Sequence, residues 1–213
     1  MAINYPLSIP VGHHTAQKSK LTAWTRVALS ESPFTGSQQV YQWPGEGWKL
    51  DFSLRPMKAA DAEPWIAFLL ALRGMSGTFE CGDTARKTPQ GVATGTPLTN
   101  GAGGGANLAG ATQLVTDGWT PNVTGILKAG DYIQVQAASS PKRLHKVLAD
   151  ANSDGSGNAT FDIFPRLRET LADNLVIVTA SAKGTFRLAG NQQDWSIDQA
   201  LVYGVSFSAT EAL

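Results

Sequence analysis

Over residues 48–54 the chain alternates strictly. Trp48, Leu50, Phe52 and Leu54 take one parity, and Lys49, Asp51 and Ser53 take the other. A period of two predicts a half-buried strand with an aromatic-rich inner face. Arg55-Pro56 ends it, because proline has no N–H to give to a strand ladder. The period then changes. Trp65, Phe68, Leu69 and Leu72 are spaced i, i+3, i+4 and i+7, which predicts one helix over about 59–73 with a single apolar face. Asp61, Glu63 and Pro64 sit at its start, where acids meet the positive end of the helix dipole and proline does little harm. Arg73 and Gly74 close it. Thr78-Phe79 opens a second short strand.

The same reading runs along the rest of the chain. Residues 1–20 look irregular, a strand is expected over 21–29, and Ser32, Pro33 and Gly36 mark a turn. A second strand is expected over 38–43, with Pro44-Gly45-Glu46-Gly47 as a hairpin-like link into the strand at Trp48. Residues 86–110 contain Pro89, Pro97 and a scatter of glycines (Gly91, Gly95, Gly101, Gly103, Gly104, Gly105, Gly110) and show no periodicity, which predicts a linker or long loop. Short strand-like runs follow at 112–115, 132–135, 143–148, 159–164 and 176–179. No helix separates them, so they predict a small closed or half-closed barrel.

The chain then returns to its first texture. Gly184-Thr185-Phe186-Arg187 echoes Gly77-Thr78-Phe79-Glu80, and Leu201, Tyr203, Val205 and Phe207 alternate with Val202, Gly204, Ser206 and Ser208. Of the tryptophans, Trp119 alone lies within 86–183. The expected architecture is mainly β: a sandwich or split-barrel domain from residues 1–85 plus 184–213, carrying the one helix, with a small β-barrel of residues 86–183 inserted in its middle. Insertion at a loop tip is physically easy.

Composition narrows the function classes. The chain has 213 residues, 42% hydrophobic but only 16% charged, against roughly 25% charged in ordinary soluble domains. Such a surface suits a chain partly covered by other protein. Seventeen basic and seventeen acidic residues cancel, so there is no electrostatic signature of specific nucleic-acid binding or of an anionic membrane. No apolar run approaches the length of a membrane span, and the first ten residues lack the features of a signal peptide. A single cysteine, Cys81, rules out an internal disulfide. Its neighbours Glu80 and Asp83 push a thiol pKa up, so it is read as structural.

Reactive chemistry is sparse. There is no nucleophile elbow, no H-E-x-x-H, no C-x-x-C and no dinucleotide fingerprint, and three histidines supply little for acid–base work. The expectation is a protein that is not an enzyme and carries no cofactor. The glycine-rich region lacks the Gly-Lys-Ser/Thr of a phosphate loop. Adjacent His13 and His14 point apart in an extended chain and chelate poorly. The sharpest motif is Asp150-x-Asn152-x-Asp154-Gly155, the first half of a calcium loop. Its twelfth position is Phe161 instead of glutamate and its flanks are strand-like, so a polar turn is the favoured reading and Asp150, Asn152 and Asp154 remain a weak metal candidate. Trp119, expected on a loop after Asp117-Gly118, and Tyr132 are weak carbohydrate candidates, since aromatic faces suit sugars. Arg166, Arg168 and Glu169 are either a ligand or inter-subunit cluster or a solvated turn.

Several segments carry a resemblance. Trp65-Ile-Ala-Phe-Leu-Leu-Ala-Leu-Arg-Gly-Met-Ser-Gly-Thr-Phe resembles a helix-then-strand signature of siphophage and prophage tail-tip proteins. Leu127-Lys-Ala-Gly-Asp-Tyr-Ile-Gln-Val, Leu144-His-Lys-Val-Leu-Ala-Asp, Phe164-Pro-Arg-Leu-Arg and Phe186-Arg-Leu look like the inserted domain of the same group, and Tyr203-Gly-Val-Ser-Phe-Ser-Ala-Thr-Glu-Ala is similar to its closing strand. The match runs from about Trp48 onward and is closest to the distal tail protein family. That resemblance implies a belt domain built from both chain ends, an insert like an oligonucleotide/oligosaccharide-binding barrel, and a hexameric ring of the protein with itself. It implies as partners the tail tube protein, the tail-tip hub and receptor-binding or side-fibre proteins. It places the protein in the virion tail tip, assembled in the host bacterial cytoplasm, with no catalytic residues. The competing readings are another minor tail or tail-tube protein with the same belt fold, and a carbohydrate-binding module acting through the inserted barrel.

Overall fold

The structure, a computed structural model, describes residues 3–10, 16–101, 107–137 and 141–213. It is mainly β, with two sheets and one helix. In chain order the elements are β1 (Leu7–Ser8), β2 (Ala16–Glu31), β3 (Gln38–Leu54), α1 (Ala59–Ala71), β4 (Phe79–Cys81), β5 (Gly95–Thr99), β6 (Gln113–Trp119), β7 (Tyr132–Val135), β8 (Arg143–Val147), β9 (Ala159–Phe164), β10 (Gly184–Leu188), β11 (Trp195–Ile197) and β12 (Tyr203–Glu211).

A seven-stranded sheet runs in the order β1-β4-β10-β12-β3-β2, with β11 paired to β12. Its strands come from residues 7–81 and 184–211. The two chain halves meet at the echoing segments: Phe186 pairs with Phe79 and Gly184 with Cys81. A five-stranded sheet, β5-β6-β9-β8-β7, uses residues 95–164 alone and curls into a half-barrel. Residues 176–178 bridge its two edges, Val176 to Leu98 of β5 and Val178 to Gln134 of β7. The run expected as a strand at 176–179 is therefore a pair of single bridges, because it lies across two strand ends and runs alongside neither.

The inner parity of β3 is buried as its alternation predicts: Trp48, Leu50, Phe52 and Leu54 all face the core. Residues Val205, Phe207 and Ala209 of β12 lie on the same face, with Phe207 directly opposite Phe52 and their rings stacked at 5.3 Å. Helix α1 covers this face with Trp65, Phe68, Leu69 and Leu72, the four residues of its predicted apolar stripe. It ends at Leu72. Arg73 and Gly74 both take left-handed φ, and Gly77 N–H closes on the Leu72 carbonyl. The half-barrel has its own core of Leu114, Trp119, Ile126, Leu127, Ile133, Phe161 and Ile163.

Two further expectations are corrected. First, Pro44-Gly45-Glu46-Gly47 is no link between strands; it lies inside the continuous β3. Thr25 pairs with Glu46 and Arg26 with Trp43, so Pro44 and Gly45 form a bulge without partners. Pairing with β2 on both sides of the bulge carries β3 through the segment. A Cβ on Gly45 would come within 2.8 Å of the Arg26 side chain. The two strand runs expected at 21–29 and 38–43 thus belong to one long hairpin that continues into the core sheet. Second, the glycine-rich segment is not loop throughout. β5 lies in it and pairs with β6, Leu98 to Asp117 and Thr99 to Thr116. Its register comes from partners distant in sequence: the Thr99 hydroxyl donates to the Ala172 carbonyl and accepts from Leu175 N–H.

Candidate functional site

The residues singled out from the sequence scatter through the molecule. Asp150, Asn152 and Asp154 line one connection, but each is engaged by backbone. Asp150 Oδ1 accepts from Ala129 N–H at 2.8 Å, and Asn152 Oδ1 from Gly125 N–H at 2.7 Å. Asp154 Oδ1 accepts from Ser156 and Asn158 N–H, and its Oδ2 from the Asn158 amide. These bonds, the Asn158 side chain first, hold the Asp154 carboxyl below the usual carboxylate range. The oxygens that a calcium loop turns inward are spent here on turn N–H groups. Phe161, at the twelfth position, is in the barrel core. Among the described residues no group of three His, Cys, Asp or Glu side chains is gathered as a metal site.

The carbohydrate candidates are interior. Trp119 ends strand β6 and does not sit on a loop. Its ring meets Phe161 edge-on at 5.6 Å and its Nε1–H donates to Thr116 Oγ1 at 2.8 Å. The barrel core outcompetes solvent for that large apolar face. Tyr132 is also buried, 6.3 Å from the Trp48 ring, with the Lys146 ammonium above its own ring. Cys81 is buried and its thiol donates to the Gly82 carbonyl. Burial, with Asp83 adding to it, pushes the thiol up to about 11. Glu80 instead pairs with Lys142 at 2.6 Å. His13 and His14 lie outside the described residues.

Two features stand out that residue-by-residue reading missed. The first is a buried charged junction where the half-barrel meets the sheet. Glu46 and Glu211 fall on the inward parity of β3 and β12, at the end of the core face beyond α1. Arg166 grips Glu46 through Nε and Nη2 to Oε1 and through its backbone N–H to Oε2. Arg168 donates to the Glu46 carbonyl and approaches Glu211 Oε2 at 3.4 Å. Arg143 of β8 lies 3.9 Å from the other Glu211 oxygen and donates to the Ala212 carbonyl. Trp48 completes the seam: its Nε1–H donates to the Leu144 carbonyl at 2.9 Å, and its ring stands edge-on to Phe164 at 5.1 Å.

Burial raises the Glu46 carboxyl, but the Arg166 hydrogen bonds and the two arginine charges bring it below its ordinary value. For Glu211 burial prevails over Arg168 and Arg143, and its pKa is raised. Beside them His145 is fully enclosed. Burial, with the nearby arginines adding to it, drives its pKa down to about 4 against the bond to the Pro165 carbonyl. Arg166, Arg168 and Glu169 are thus neither a solvated turn nor an exposed cluster. Arg166 and Arg168 bind acids of the same chain. Parity carried the signal, since a lone Glu46 continues the apolar row of Trp48, Leu50 and Phe52.

The second feature is the arm. Beyond the bulge β2 and β3 pair from Arg26–Trp43 out to Glu31–Gln38. At about 3.4 Å per residue this ribbon extends about 20 Å. Directly opposed residues share a face. Ala28 and Tyr41 join Arg26 and Trp43 on one side, while Val27, Leu29 and Val40 lie on the other. Val27, Leu29, Val40, Tyr41 and Trp43 are all exposed, and Phe34 at the tip is 95% exposed. No third strand pairs with this ribbon among the described residues.

Compared with known protein families and with curated proteins, the chain matches no family model and no curated sequence.

Proposed function

We propose that this protein is a structural subunit that assembles with copies of itself, and that it forms the ring at the distal end of a phage or prophage tail, between the tail tube and the baseplate hub. The arm carries the self-assembly part of this reading. A two-stranded ribbon is marginal in water on its own, and this one presents large apolar side chains on both faces. Such a patch marks a protein contact. Low charge content and a neutral balance favour dense contact with other protein. The tail assignment rests on the resemblance of the helix-then-strand segment at 65–79, the barrel segments and the closing strand to distal tail proteins.

Light scattering on the purified chain, with negative-stain images of the same peak, tests it. The expected result is a closed ring near six times 22.5 kDa. A mass of one chain at every accessible concentration overturns the self-assembly reading.

A further inference from the structure

The half-barrel overhangs the β4–β10 part of the large sheet. Phe79 and Phe186 are paired and buried in the core, so Glu80 and its cross-strand neighbour Thr185 stand on the opposite face, with Arg187 on the same parity. Lys142, just before β8, lies across them. Thr185 N–H donates to the Lys142 carbonyl at 2.9 Å, and the Lys142 ammonium reaches Glu80 Oε1 at 2.6 Å. A cleft of about 310 Å³ is left there, with Glu80, Lys142, Thr185 and Arg187 among its lining residues.

Two donors in this cleft lack acceptors. Thr185 is 3% exposed, and its backbone is fully engaged, since its carbonyl accepts from Ala212 N–H at 2.9 Å. Its Oγ1 nevertheless makes no hydrogen bond. Buried polar groups are rarely left so, because burial without a partner costs the full desolvation of the group. Arg187 is half-buried, and its guanidinium donates to the Met75 carbonyl at 3.3 Å. It meets no carboxylate among the described residues, although a guanidinium carries five N–H donors. The acid of the cleft, Glu80, is already matched: Lys142 holds Oε1, and Lys183 stands 3.9 Å from Oε2. Three basic side chains thus surround one acidic one.

We infer that this cleft binds an oxyanion, a carboxylate or phosphate group, with the Thr185 hydroxyl donating to one of its oxygens and Arg187 supplying the opposite charge. Such a ligand brings acceptor oxygens and negative charge, the two things the lining side chains do not supply to each other. A cation would meet the surplus of basic side chains, and a neutral ligand would leave Arg187 uncompensated. The cleft lies within one chain, so the inference stands apart from the self-assembly reading above.

Isothermal titration calorimetry of the full chain in a zwitterionic buffer reads the binding, with inorganic phosphate in one arm and acetate in the other. Three variants locate it. Thr185→Val keeps the shape and removes the hydroxyl, Thr185→Ser keeps the hydroxyl, and Arg187→Gln removes the charge. Wild type is expected to bind at least one probe at millimolar concentration, and Thr185→Ser to bind comparably. Thr185→Val and Arg187→Gln are each expected to bind about tenfold more weakly or worse, the loss of one charge-assisted hydrogen bond. Because the Thr185 hydroxyl has no partner within the fold, Thr185→Val is also expected to melt no lower than wild type in the absence of either probe.

Binding of phosphate alone supports a phosphorylated ligand, and binding of acetate supports a carboxylate. If neither probe binds, if Thr185→Val and Arg187→Gln bind as tightly as wild type, or if Thr185→Val melts well below wild type, the oxyanion site is overturned.

Discussion

Glu46 Oε1 lies 2.8 Å from Arg166 Nη2 and 3.1 Å from Arg166 Nε, joining the root of the arm to the segment that follows the last barrel strand. Glu46 is buried and Arg166 partly so, and Arg168 binds the Glu46 main-chain carbonyl from the same side. Glu46 stands two residues before Trp48 on the inward parity of β3, just past the bulge at Pro44-Gly45, and so points its carboxylate to where the half-barrel holds it.

Glu46→Ala leaves the Arg166 guanidinium in the seam without its carboxylate. Removing one partner of a buried ion pair costs about 3–5 kcal/mol, because the other charge stays desolvated. Arg166 keeps some contact with water, so urea unfolding followed by tryptophan fluorescence is expected to show a smaller loss, about 1–3 kcal/mol. Glu46→Ala with Arg166→Met, which removes both charges and keeps apolar bulk, is expected to recover part of it.

Stability is expected to fall as pH drops from 6.5 towards 4. His145 is neutral in the fold with its pKa near 4, and its Nδ1–H donates to the Pro165 carbonyl at 2.7 Å. The unfolded chain binds the proton at about 6.5. In that window the unfolded state holds more protons than the folded one, so acid favours unfolding, by an amount on the order of 3 kcal/mol across the window. The lowered Glu46 carboxyl adds to the acid loss below its unfolded value, whereas the raised Glu211 carboxyl opposes it, since its folded form holds a proton more tightly. His145→Asn keeps a donor near the Nδ1 position and does not titrate. Its melting temperature is expected to vary less than that of wild type between pH 4 and 6.5.

Trp119→Ala is expected to destabilise the protein by about 3–5 kcal/mol, the range for deleting a large aromatic from a packed core. The variant loses the Phe161 contact and orphans Thr116 Oγ1 from its indole donor. Thermal unfolding measures this. An unchanged melting temperature refutes the core role.

Cys81 is expected to resist thiol reagents at neutral pH. It is buried and its pKa lies near 11, so neither access nor thiolate is available. Reaction with a disulfide reagent is expected to track urea unfolding and to reach one thiol per chain on full denaturation.

The local elements were legible because they follow from short-range rules. The period-two run at 48–54 and the i, i+3, i+4, i+7 stripe of Trp65, Phe68, Leu69 and Leu72 each encode which side is apolar, and the fold buries those sides. The echo of 77–80 in 184–187 likewise marks strands that pair side by side. Tertiary structure decided what depends on residues far apart. Proline and glycine at 44–47 read as a turn by composition, yet fifteen paired positions with β2 carry β3 straight through them as a bulge. β5 has almost no apolar pattern and exists because β6 and residues 172–176 supply its hydrogen bonds. Trp119 reads as a loop tryptophan beside Asp117-Gly118 until Phe161, more than forty residues on, closes over it. The meeting of Glu46 and Glu211 with Arg143, Arg166 and Arg168 joins segments separated by up to 165 residues. Charge at a single position carries no period, so a partner is visible only once the backbone has brought the two ends of the seam together.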